Sequence, residues 1–378
     1  MNQPVSTRIG GELGATKPHF PILDGLRGVA AVMVVIFHLF ESHATSHQDQ
    51  IVNHGYLAVD FFFLLSGFVI GYAYDDRWGK MTVKDFFKRR LIRLQPMVVM
   101  GMFVGGILFY FQACELWPSI AQTPLWKMIL VMAIGMTLIP LPLSMDIRGW
   151  TEMHSLNGPG WSLFYEYIAN ILYAVAVRKF TITALALLVI VTGAGLAHYV
   201  ITSPGGDIVG GWALTAEQIQ IGFTRVLFPF FAGLLLFRLG KLATIRNAFV
   251  WTSLLIVGIL AFPRIGGTEN LWVNGLYEAI CILALFPLIV YLGASGEIRS
   301  SVGKRICKFT GDISYPLYIT HYPLVYVYMA YVTNNKISMA QGWPYMILTF
   351  VVAIALAYGC LKLYDEPVRN WLRKKFQR

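Results

Sequence analysis

Along this chain, apolar runs alternate with short polar segments, many of them basic. The runs lie at 24–41, 55–75, 95–114, 160–177, 181–201, 220–237, 247–263, 271–293, 312–332 and 343–364. Each falls near the roughly 17 to 25 residues that carry a helix across the hydrocarbon core of a bilayer. The pattern predicts an all-α integral membrane protein, a bundle of about ten transmembrane helices. An eleventh apolar stretch, 125–143, contains Gly135 and is closed by Pro140 and Pro142, which break helices.

Composition agrees and narrows the choice. The chain is 56% hydrophobic and 13% charged, with mean hydropathy +0.59, whereas soluble domains carry about a quarter charged residues. No stretch is polar enough for a second soluble domain. The first twenty residues are polar, and the first apolar run lacks a small-residue cleavage site, so no cleavable signal peptide is expected. Cys114, Cys281, Cys307 and Cys360 lie far apart, in no metal-like spacing, and predict no disulfide framework.

The formal net charge of +10 would suit nucleic acid, but its distribution does not. Basic residues sit in clusters between apolar runs, the pattern that orients a membrane protein. If 125–143 does not cross and the N-terminus is cytoplasmic, 23 of the 30 Lys and Arg residues face the cytoplasm. Only Lys127, Arg148, Arg264 and Lys336 then remain in outer loops. Letting 125–143 cross would invert everything after it and destroy that asymmetry. The expectation is therefore ten spans with both termini cytoplasmic and a re-entrant or interfacial piece near 125–143. Residues 1–22 read as a cytoplasmic tail, 23–367 as the transmembrane domain and 368–378 as a basic cytoplasmic tail. Two basic segments, 82–96 and 297–309, are amphipathic, suited either to anionic lipid or to a phosphorylated cytoplasmic molecule.

Chemistry concentrates in LDGLRGVAAVMVVIFHLF, residues 23–40, an apolar run that nevertheless carries Asp24, Arg27 and His38. Eleven residues separate Arg27 from His38, three turns plus about 20°, so both project from one helix face about 16 Å apart. Asp24 is one turn before Arg27 and can pair with it. Arg27 would lie near the cytoplasmic surface, where a snorkelling anchor is also a good account. His38 would lie most of the way across. A buried ionisable group there is costly and usually functional, and imidazole suits proton transfer near neutral pH. Further polar groups interrupt the other spans: Asp60 and Ser66 in the second, Trp161, Ser162 and Glu166 at the start of the fourth, Arg225 in 220–237, and His321 in 312–332. Ser162 and Glu166, at i and i+4, share a face. Together these groups describe a polar interior. His43, His47 and His54 form at most a weak metal pattern in an outer loop, and no metal is expected.

At these residues the chain resembles the membrane-bound acyltransferase family 3, which O-acylates sugars and other acceptors. The resemblance runs in order through LDGLRGVAAVMVVIFH, GYLAVDFFFLLSGFVI, FKRRLIRLQP, GWSLFYE, RVLFPFFAG, ISYPLYITHYPL and the Glu366–Pro367 pair. It implies a ten-helix core, His38 as the catalytic histidine, and Arg27 with Arg90 and Arg93 as binders of a cytoplasmic acyl-coenzyme A donor; Asp24 goes with Arg27. Some members continue into a soluble hydrolase-like domain, and this chain is expected to lack one.

An extended pantetheine arm is about as long as the Arg27–His38 separation. Arginines would clamp the phosphates while the thioester reaches His38. His38 would act as general base on an acceptor hydroxyl arriving from outside, with Glu166 orienting the imidazole. A covalent acyl-histidine route stays open. Asp60, Ser66, Trp161, Ser162, Arg225 and His321 are assigned to the acceptor site or its support. The expected activity is O-acetyl transfer from acetyl-coenzyme A to a carbohydrate hydroxyl in a bacterial inner membrane, with no permanently bound cofactor and no nucleic-acid partner. The alternative is a secondary transporter of a lipid-linked sugar or acyl compound, against which stands the lack of an internal repeat.

The topology is testable directly. Cysteines introduced at positions 48 and 85 should react with an impermeant thiol reagent from opposite sides of the membrane. Labelling of both from one side would refute the ten-span arrangement.

Overall fold

The computed structural model describes residues 20–240, 245–298 and 300–376. The expected tail over 1–22 therefore lies almost wholly outside the described residues. The helices are α1 Pro21–Glu41, α2 Ala58–Tyr74, α3 Val83–Leu108, α4 Ser119–Gln122, α5 Leu125–Gly135, α6 Gly160–Val175 and α7 Ile182–Thr202. They continue as α8 Ala216–Leu239, α9 Ala248–Ala261, α10 Leu271–Ile280, α11 Phe286–Ala294, α12 Ser301–Asn335, α13 Met339–Cys360 and α14 Glu366–Phe376. Every one of the ten expected spans coincides with a helix or a pair of joined helices. Among the described residues, seven helical runs are long and apolar enough to cross a membrane by length and composition.

Local sequence sets the ends. Thr82, Thr181, Thr215, Ser300 and Ser338 each cap a helix, their hydroxyls accepting a backbone N–H three residues on. At Thr82 and Ser338 the N3 side chains of Asp85 and Gln341 bond back, completing capping boxes. The basic segments expected near 82–96 and 297–309 are thus the opening turns of α3 and α12 rather than separate surface helices. Two junctions widen into π turns, Cys281–Leu285 between α10 and α11 and Leu361–Asp365 between α13 and α14. In both, a proline (Pro287, Pro367) follows the wide turn and lacks the N–H that a regular α-helix would need there.

Inner and outer helices differ in burial. In α1 and the run ending in α2, 67% and 72% of the apolar window is buried, against 22% in α7, which presents Leu187, Ile190 and Val191 outward. Such a face suits lipid. The inner helices pair in parallel: α1 lies along α12, and α2 along α8. A Cβ at Gly67 would land on the carbonyl oxygen of Phe230, and one at Gly233 on that of Leu64, so α2 and α8 touch backbone to backbone.

Helix α5 has 11 residues, about 16 Å at 1.5 Å each and half a hydrocarbon core. After it the chain turns irregular, with Leu138 and Thr151 at positive φ. Irregular backbone at this depth has to be satisfied by protein, and it is. Arg148 is fully buried, donating to Gln112 at 2.7 Å and to the Ser155 carbonyl at 3.0 Å, with Tyr326 stacked 3.4 Å below. Pro323 leaves the Ile319 carbonyl of α12 without its helical donor, and Asn157 supplies one at 2.8 Å. The 203–215 loop joins through the Met153 N–H, which donates to the Trp212 carbonyl at 2.7 Å.

The α2–α8 contact predicts that Gly67→Ala lowers stability by about 1–3 kcal/mol through overpacking. Gly79→Ala, where an added methyl meets open space, should leave thermal unfolding in detergent unchanged. Equal melting temperatures for both variants would contradict the close approach.

Candidate active site

Two chambers lie along the α1–α12 pair. The first, about 360 Å³, opens at the end of the bundle where α1 finishes and holds His38, Glu41, Tyr56, Glu152, Trp161, Arg225 and Tyr322. The second, about 270 Å³, lies at the end where α1, α3 and α12 begin and holds Arg27, Arg90, Arg93 and Glu166. Val59 and Tyr318 line both. They form a partition, and Tyr318 is held in it by Ser162, whose Oγ lies 2.7 Å from the phenol oxygen.

In the far chamber, His38 Nδ1 lies 2.6 Å from Glu41 Oε2. An ionised carboxylate only accepts, so Nδ1 donates, and in the neutral imidazole the lone pair then lies on Nε2. Tyr322 meets the ring edge-on at 4.5 Å, and His321 stacks on it at 5.5 Å. His321 Nδ1 donates to the carbonyls of Leu317 and Tyr318, at 3.0 and 2.9 Å, which fixes its own tautomer the same way. Its Nε2 has no partner among the described residues. Beyond Tyr322, Glu152 accepts from Tyr326 at 2.7 Å, and burial pushes its carboxyl up to about 7 against the pull of Arg148. Trp150, Trp161 and Trp212 supply three indoles to the same walls.

A buried ion pair frames this chamber. Arg225 donates to both oxygens of Asp60, at 2.7 and 3.3 Å, to the Tyr56 carbonyl at 2.7 Å and to the Gly210 carbonyl at 3.2 Å. One guanidinium thus ties α2, α8, the chain before α2 and the 203–215 loop together.

The other chamber is basic. Arg27 pairs with Asp24 at 3.1 Å, as their spacing implies. Arg90 is nearly fully buried and donates to Glu166 at 2.6 Å, where Ser66 also donates. Arg93 projects into the cavity and makes no hydrogen bond or ion pair among the described residues. An anion entering here would meet an uncommitted guanidinium.

Residues 20–362 match the family model described as an acyltransferase domain. The chain belongs to that family. It is 31% identical to Protein 2 in picA locus of Rhizobium radiobacter over 195 residues, 48% of this chain and 96% of that protein. It is 23% identical to O-acetyltransferase OatA of Staphylococcus aureus over 373 residues, 93% of this chain. The chain spans 57% of the OatA length. No solved structure matches it at a significant level.

Against this family assignment, the expected site residues divide between the chambers. Arg27, Asp24, Arg90 and Arg93 converge in the basic one, and His38, Trp161 and Arg225 in the far one, with Asp60 and His321 buried behind them. Glu166 does not orient His38. Helix α6 runs from the far chamber toward the basic end, and one turn beyond Ser162 has carried the carboxylate to Arg90 and Ser66. Ser66 accordingly belongs to the basic side. Glu41 takes the place expected of Glu166, and its signal was present in the sequence as a carboxylate three residues after His38. Glu152, Trp150 and Trp212 carried no such local signal. His43, His47 and His54 go to separate surroundings: His43 to Tyr328, His54 to Asn274 and Phe262, and His47 to the chamber wall.

Removing one member of a buried ion pair costs about 3–5 kcal/mol, because the other charge stays buried alone. Asp60→Ala should therefore lower the thermal midpoint in detergent sharply. Asp60→Leu with Arg225→Met should recover part of the loss. An Asp60→Ala protein as stable as wild type would show that the pair frames nothing.

Proposed function

We propose that this protein moves a short acyl group from acyl-coenzyme A, admitted at the basic end, to a hydroxyl of a carbohydrate acceptor in the far chamber. The reading rests above all on the two chambers meeting at one thin partition, with an uncommitted arginine on one side and an oriented histidine on the other. The arginines suit the donor's phosphates, which guanidinium groups bind in a fork. From Arg27 to His38 is about 16 Å along α1, a distance suited to an extended pantetheine arm passing Tyr318.

His38 Nε2 accepts the proton of the acceptor hydroxyl as that oxygen bonds to the thioester carbonyl carbon. The tetrahedral intermediate collapses, the carbon–sulfur bond breaks, and the coenzyme thiol leaves with a proton returned by His38. Glu41 holds the imidazole in the required tautomer and stabilises its charged form. His321, stacked behind, keeps the ring from turning away.

Carbohydrate is favoured as acceptor because indole faces suit sugar rings while Glu152, in the same wall, offers a hydrogen-bonding carboxyl. The names of the OatA relatives favour acetyl as the group moved. The excess of Lys and Arg at the donor end supports a cytoplasmic donor side, and the bacterial relatives support a bacterial inner membrane.

His38→Ala should lower turnover by about a hundred- to ten-thousand-fold while leaving coenzyme A binding near wild type. Glu41→Gln should fall between the two, since it keeps the contact and removes the charge. The measurement is acylated acceptor formed by purified protein, alongside calorimetric donor binding. Near-normal turnover in His38→Ala would overturn the mechanism.

A further inference from the structure

The basic C-terminal segment is not a separate tail in this fold. The last span passes through the π turn Leu361–Asp365 straight into α14, and α14 returns against the opening turns of α3, with Lys88 over the Phe376 ring. Asp365, Glu366 and Arg369 line the same basic chamber as Arg27, Arg90 and Arg93. We propose that α14 is part of the donor site and that Arg369 binds the phosphate-bearing end of a coenzyme A thioester, with Asp365 as its positioning residue. The proposal rests on the reading of this chamber as the donor site.

A repeated arrangement carries it. Arg27 is clasped by Asp24, Arg90 by Glu166 and Arg369 by Asp365, the last at 2.7 Å. Each clasp is a single short contact, and a guanidinium has five N–H donors. Arg90 Nε and Arg369 Nε are both buried without a partner among the described residues. The Asp365 side chain is 2% exposed, with one carboxylate oxygen bonded to Arg369 and the other, Oδ1, unpartnered. Orphaned donors and a buried carboxylate are costly in a finished structure. They are what a site prepared for a multiply charged, oxygen-rich ligand leaves open. Arg369 would add to the set begun by Arg93, from the helix that packs on α3.

A bland account exists, because Arg373, Lys374 and Lys375 on the same helix are exposed and suit an anionic lipid surface. Arg369 differs from them in facing the cavity.

Binding of coenzyme A and of pantetheine, which lacks the phosphates, to the full chain in neutral detergent separates these accounts. Arg369→Gln should weaken coenzyme A binding about tenfold, the size of one charge-assisted hydrogen bond, and leave pantetheine binding unchanged. Arg369→Lys, which keeps the charge and tests the fork if the Gln variant does not fold, should lose several-fold. Lys374→Gln should bind as wild type does. Unchanged coenzyme A affinity in Arg369→Gln and Arg369→Lys, with loss in Arg93→Gln, would overturn the role of α14 and leave the donor site standing. A wild-type protein with no coenzyme A affinity would overturn the donor reading itself. A defect confined to vesicles containing anionic lipid would make α14 a membrane contact instead.

Discussion

A guanidinium placed inside an apolar bundle must find its counter-charge and its hydrogen-bond acceptors within protein, because neither water nor lipid tails supply them there. Arg225 meets that requirement through Asp60 and two backbone carbonyls. Much else follows from the geometry it imposes. Asp60 sets the position of α8 along α2, and the glycine contacts further along let the two backbones touch. The carbonyl acceptors hold Tyr56 and the 203–215 loop in place, and that loop carries Trp212 and grips the backbone beside Glu152. A chamber wall drawn from four separate segments thus hangs on one ion pair.

The same requirement explains why the segment after α5 is irregular without being loose. Arg148 and Asn157 are polar groups at depth, and each is used to satisfy something the helices leave open. Pro323 removes a donor from α12, and Asn157 replaces it. Proline at this position is therefore a docking point as much as a local defect. It brings the chain carrying Trp150 and Glu152 to the wall of the far chamber.

Charge is handled differently in the two chambers. On the far side, single carboxylates face single polar rings, an arrangement that fixes the orientation of each ring. On the basic side, carboxylates clasp arginines with one contact each and leave other donors unused. Between them stands Tyr318, whose phenol is latched to Ser162 and whose backbone carbonyl receives His321. The partition and the support of His38 are therefore built from adjacent turns of α12.

The placement of the long helices was legible in the sequence because apolar length obeys the bilayer, a constraint that acts residue by residue. Arg27 and His38 were legible as a pair because helix geometry fixes their shared face. Glu41 was equally local, and a carboxylate one turn from His38 is readable by the same rule. Which chamber Glu166 would serve was not. That depended on the direction in which α6 crosses the bundle, a consequence of packing among helices distant in sequence. Nor did the pattern near 136–159 announce Glu152 and Trp150, since irregular backbone has no period and its partners lie about 170 residues away in α12. The C-terminal charges read as a tail because a basic amphipathic stretch looks the same on a lipid surface as against a cavity. Only the turn at Leu361–Asp365 decided that Arg369 would face inward. Local periodicity determined the helices of this protein; the enclosure of two cavities between them required every helix to be in place, because a cavity is a property of the gaps between elements and no single element encodes it.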